Sequence, residues 1–115
     1  LARKPTYLEH LDSADARVKL VSTCDKLHNS RAMVADYRHH RSGLWARFNE
    51  HDPARHLWYY HRLLATLAPP DVPPALADEL RRTVEELTRL VTDDDPSVAG
   101  QLTELLDGPL RPGTG

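Results

Sequence analysis

The sequence predicts an all-α fold, a helical bundle, and three observations carry that reading. Apolar residues recur at i, i+3 and i+4 spacings along most of the chain, and strict apolar-polar alternation is nowhere sustained. An aspartate followed by proline, a helix-start signal, occurs at Asp52-Pro53 and again at Asp95-Pro96. With 115 residues, 40% hydrophobic and 28% charged, the chain has the composition of one modest globular domain.

The elements follow in order. A short helix is expected over Pro5 to Leu11, ending near Asp12-Ser13. The next runs from about Ala14 to His39 and is broken by Ser42-Gly43, after which a short piece covers Leu44 to Phe48. In "HDPARHLWYYHRLLATLA" Asp52 offers a side-chain cap and Pro53 takes the first helical position, where no N–H is needed. "PPDVPP" reads as a stiff connector. Leu76, Leu80, Val84, Leu87 and Val91 then form one apolar stripe, so this helix packs by one face. Asp95 and Pro96 open a last helix that reaches about Leu106. Residues 1–107 form the expected domain, and the tail 108–115, "GPLRPGTG", is expected to be disordered.

Composition also narrows the function classes. A net charge of -2, with arginines and acids interspersed, argues against a nucleic-acid partner and leaves a small polyanionic ligand open. No apolar run is long enough to span a bilayer and no signal peptide is apparent, so no membrane partner is expected. Cys24 is the only cysteine, which rules out an internal disulfide and a cysteine-based zinc site and suits a reducing, cytoplasmic setting. The first residue is Leu1 rather than Met, which suggests a processed or truncated chain.

The second helix contains "STCDKLHNSRA", residues 22 to 32. At about 100° per residue, Leu20, Cys24, Leu27 and Val34 share one side, while Val18, Val21, Asp25, His28, Asn29 and Ala32 share the other. Apolar residues on both sides predict packing on two flanks, with Asp25 set among Val18, Val21 and Ala32. A carboxylate there needs a cation, a metal or several donors. On spacing alone, an arginine from another helix is the commoner partner, with His28 and Asn29 as satisfied core groups.

The residues themselves point further. "CDKLHNSRA" resembles the last motif of the HD superfamily of metal-dependent phosphohydrolases, most closely the Rel/SpoT-type hydrolases of guanosine alarmones and their small stand-alone relatives. The matching positions are Asp25, Lys26, Leu27, His28 and Asn29, with Arg31 following. The flanking "ARVKLVST", "LWARFN" and "LWYYHRLL" are similar too, so the resemblance covers roughly residues 4–91. It implies that the chain is the C-terminal part of an HD-domain fold, that Asp25 is the final ligand of a divalent metal such as Mn²⁺, and that Asn29 lies beside the nucleotide. Lys26 is a further substrate-binding candidate, facing phosphate. Such a metal lowers the pKa of bound water and neutralises phosphate charge, which is why its ligands are clustered histidines and carboxylates.

The resemblance also implies an upstream His and an adjacent His-Asp pair, and neither is here: only His10 precedes Asp25, and no His-Asp dipeptide does. His51-Asp52 comes too late in the chain and reads as a helix cap. His56 and His61 are poorly spaced for a shared metal, and His39-His40 suits a helix C-terminus. Trp58, Tyr59 and Tyr60 read as core, with base stacking a lesser option. The chain alone is therefore expected to be inactive unless an upstream segment or a second chain, as in a homodimer, completes the site. The alternative is a non-catalytic helical remnant or interaction module.

Overall fold

The structure, a computed structural model, describes residues 4 to 108, with side chains from Tyr7 onward. Five α-helices pack into one bundle: α1 Lys4–Asp12, α2 Ala16–His40, α3 Pro53–Thr66, α4 Pro74–Asp94 and α5 Ser97–Asp107. A 3-10 helix, Arg41–Arg47, joins α2 to the loop before α3. Among the described residues there is no strand, and no helix is long and apolar enough to cross a membrane. Of the expected tail only Gly108 is described, and its carbonyl accepts from the Arg62 guanidinium at 2.9 Å.

Local chemistry fixes the helix starts. Asp52 accepts from the Ala54 N–H at 3.0 Å, with Pro53 at the first position as expected. Asp95 accepts from the Ser97 N–H at 3.1 Å in the turn that leads into α5, which begins at Ser97, one residue after the expected Pro96. Helix α2 begins at Ala16, two residues after the expected opening, and is capped by Asp15, whose carboxylate accepts from the Val18 N–H at 3.0 Å. At the other end of α2 the expected breaker Gly43 lies inside the 3-10 helix. The chain turns at Arg41 instead, which takes a φ of 52°. Its guanidinium lies over the Tyr37 ring and 3.6 Å from Asp94, two attractions that help hold this uncommon backbone geometry.

The core is built by α3 and α4 together with the second half of α2. Leu80, Val84, Leu87 and Val91 are all fully buried, so the α4 stripe is the expected one, with Leu76 half-buried at its end. Trp58, Tyr59 and Tyr60 are buried, as expected of core aromatics. Helices α2 and α4 run in the same direction, because Lys19, Arg31, Arg38 and Arg41 meet Asp71, Glu79, Glu86 and Asp94 in matching order. At Arg41 the ends of α2 and α4, the 3-10 helix and α5 frame an open pocket of about 570 Å³ lined by Tyr37, Trp45, His51 and Asp94 among others. Tyr37 donates to Asp94 at 2.8 Å, and burial, then that bond, push its phenol up to about 12.

One expectation is overturned. Helix α2 is not packed on two flanks: Val18, Val21, Asp25, His28 and Ala32 all face solvent, and so do Leu20 and Cys24. The buried side from Lys19 to Ser30 is instead mostly polar, with Lys19, Ser22, Thr23 and Ser30 turned inward beside Leu27. These groups are satisfied on the spot. Thr23 donates to the Lys19 carbonyl at 2.7 Å and Ser30 to the Leu27 carbonyl at 3.1 Å, while Ser22 shares a bond of 2.8 Å with the Tyr7 hydroxyl. Hydroxyls that bond their own helix bury at little cost, and apolar periodicity is blind to them.

Candidate functional site

The first half of α2 presents the candidate residues, and α1 and α3 frame them. Asp25 and Asn29 stand one turn apart, so their side chains neighbour each other on one flank. The Asp25 side chain is 61% exposed, whereas that of Lys26 is only 16% exposed, with 3.6 Å between its Nζ and the carboxylate. Asn29 is half-buried and His28 exposed. The expected partner of Asp25, an arginine from another helix, is not what the structure places there. Arg31 turns instead to Glu79 of α4.

Lys26 leans away from solvent into an aromatic corner. Its ammonium lies 5.1 Å from the Tyr7 ring centroid and 5.8 Å from that of Tyr59, both within cation-π range. Tyr7 reaches this corner from α1 and Tyr59 from α3. The two neighbouring phenols of α3 register the site's charge. Burial first, then Tyr7, Tyr60 and Asp25, push the Tyr59 phenol well above its ordinary value. Burial first, then Asp25, push that of Tyr60 up to about 12. Both therefore remain neutral hydroxyls at physiological pH.

The structure brings Asp25, Lys26 and Asn29 together, and adds two residues that sequence reasoning missed as site members. Tyr59 reads from sequence only as core, and Tyr7 carries no motif. No spacing signal joins them to Lys26, because the three come from different helices and meet only through packing.

The remaining histidines serve other ends. His56 is buried, stacked on Trp45 at 5.1 Å, and its Nε2–H donates to the Glu50 carbonyl at 2.7 Å. The Nε2 of His61 lies 3.0 Å from the Thr88 hydroxyl. Burial holds His61 below the usual imidazole range, with Glu85 opposing that shift. Asp52 caps α3, and His51 lines the pocket at the far end of α2, an end that lies about 22 Å along the helix from Asp25. His10 is exposed on α1.

Among the described residues, no group of three or more His, Cys, Asp or Glu side chains is placed to hold a metal ion. Asp25 offers one carboxylate, and a divalent ion needs several donors around it. The described residues alone therefore do not fit the metal centre that the motif implies. What they can do is present a carboxylate, an ammonium and an amide side by side, along the flank of α2 that also exposes Val18 and Val21. Comparisons with family models, with curated proteins and with solved structures find no match to this chain.

Proposed function

We propose that this chain is the C-terminal part of an HD-type metal-dependent phosphohydrolase that removes pyrophosphate from a guanosine alarmone or a related nucleotide. The observation that carries this reading is the placement of the motif. Asp25 and Asn29 stand one turn apart on an open flank of α2, beside apolar residues that none of the described residues covers. A buried ion pair at Asp25 would have argued for a structural carboxylate; an exposed one is accessible to a ligand. In this reading Asp25 is one metal ligand, Asn29 contacts the nucleotide and Lys26 faces phosphate. The other ligands, a His and a His-Asp pair, come from a preceding segment or a second chain that also covers Val18 and Val21. The bound ion would supply a water of lowered pKa and neutralise phosphate charge. A reducing, cytoplasmic location suits the unpaired and exposed Cys24.

The test is an assay of Mn²⁺-dependent pyrophosphate release from guanosine tetraphosphate by the polypeptide that includes the residues encoded ahead of Leu1. The expected result is activity that Asp25→Ala abolishes and that Asn29→Ala weakens mainly through KM. Full activity in Asp25→Ala overturns the reading, as does a preceding sequence without a His and a His-Asp pair.

The exposed apolar residues favour one other reading, an interaction module without catalysis. Tyr7, Val18, Leu20 and Val21 are large apolar side chains left exposed, and Val18 and Val21, one turn apart, offer apolar area to a partner. In that case the 115-residue chain self-associates or takes a protein partner through α2, and no metal-dependent activity accompanies the longer polypeptide.

A further inference from the structure

Two lysines of α2 are drawn away from solvent, and they are held differently. Lys19 donates to Asp71 at 3.0 Å, a direct charge-assisted hydrogen bond. Lys26 lies at 3.6 Å from its carboxylate, beyond hydrogen-bond range, and among the described residues no acceptor takes a bond from it. Besides the looser ion pair with Asp25, what holds its ammonium is the pair of ring faces of Tyr7 and Tyr59. Tyr7 is itself pinned by the bond between its hydroxyl and Ser22, and Tyr59 by burial in the core.

An ammonium carries three N–H donors. Aromatic faces attract its charge without taking those donors as an oxygen would. A cation fixed in place, mostly withdrawn from water and still rich in donors, is completed by an oxyanion. We propose that Tyr7 and Tyr59 are positioning residues that cage the Lys26 ammonium so that its donors meet a phosphate group of the ligand beside Asp25. The proposal deepens the phosphohydrolase reading and rests on it for the choice of a pyrophosphate-type ligand. Asp25 and Lys26 then form a side-by-side pair, one charge for a cation and one for the phosphate that accompanies it.

The test is a titration of the 115-residue chain with inorganic pyrophosphate, without metal, followed by calorimetry, with thermal unfolding measured in parallel. Lys26→Met is expected to weaken binding about tenfold, and Tyr7→Leu about threefold or more, as loss of a cation-π contact implies. Tyr7→Phe keeps the ring face and is expected to bind like the parent, although it loses the Ser22 bond. Asp25→Asn removes a repelling charge and is expected to bind more tightly. A purely structural Tyr7 would lower the unfolding temperature in Tyr7→Leu and leave affinity untouched, and that result overturns the proposal. Absence of binding in both the parent and Asp25→Asn overturns it as well. The two readings fail separately. Binding that needs Lys26 and Tyr7, with no hydrolysis by the longer polypeptide, keeps the anion site and removes the enzyme. Hydrolysis with parental affinity in Tyr7→Leu keeps the enzyme and removes the cage.

Discussion

Helices α4 and α2 obey opposite rules. In α4 the apolar residues face inward and the charged ones outward, so its sequence is accounted for by contacts within this chain. From Lys19 to Ser30 of α2 the inward side is mostly polar, with Lys19, Ser22, Thr23 and Ser30 beside the single apolar Leu27, while Val18, Leu20 and Val21 are exposed. Val21 is 66% exposed. A segment that turns apolar side chains to water is not accounted for by the contacts described within this chain. The candidate site lies along that segment, not along α4, and this is why the flank of Asp25 rather than the pocket at the far end is the place to look for function.

The comparison can be broken from either side. Leu80→Ala in the α4 stripe is expected to cost about 2 to 5 kcal/mol in urea unfolding, because the residue is fully buried. A near-neutral result would mean that α4 does not carry the core. Asp71→Asn leaves the inward Lys19 ammonium without its carboxylate. Its expected cost is about 1 to 2 kcal/mol, below that of a fully buried pair, since Asp71 is itself partly exposed. If stability is unchanged, the polar inner side of α2 contributes nothing.

A pH dependence comes next. His61 titrates below the ordinary imidazole value because burial disfavours its charged form. Below about pH 6.5 the unfolded chain therefore binds a proton that the folded chain resists. Its contribution is neutral above that pH and turns destabilising as pH falls towards the lower folded value. His61→Gln should flatten the slope of stability against pH in that window, and an unchanged slope would assign it to other groups. The smallest effect is expected for Val21→Ser, within about 0.5 kcal/mol in this chain, because the side chain is already in water. A large loss of stability there would show that the α2 flank is covered after all, for instance by a second copy at the concentration used.

How far the sequence could be read depended on the kind of signal. Caps and stripes are local, and Asp52-Pro53, Asp95 and the α4 stripe all stand where their chemistry put them. The two flanks of α2 were not legible, because apolar residues at helical spacing show that a face exists but not whether this chain supplies its cover. Serine and threonine added to the ambiguity: they read as polar, yet they bury when they bond back to their own helix. Gly43 misled for a related reason. Glycine is the residue that usually permits a left-handed turn, but Arg41 has attractions to Tyr37 and Asp94 that only the folded chain supplies. At the candidate site the motif located Asp25, Lys26 and Asn29, whereas Tyr7 and Tyr59 join Lys26 only through the packing of three helices.

The shared direction of α2 and α4 also bears on how the chain finds this arrangement. Two antiparallel neighbours can zip together from the turn that joins them, with each new rung closing a slightly larger loop. The rungs between α2 and α4 have no such starting point: Arg31 to Glu79 and Arg38 to Glu86 each span 48 residues. The first of them carries the whole loop-closure entropy, and later ones add little to it. Were α3 to dock on its neighbours first, the effective loop would be shorter. Refolding speed should therefore respond more to changes in the α3 core, such as Leu57 and Leu63, than to the exposed ion pairs along the seam that α3 brings together.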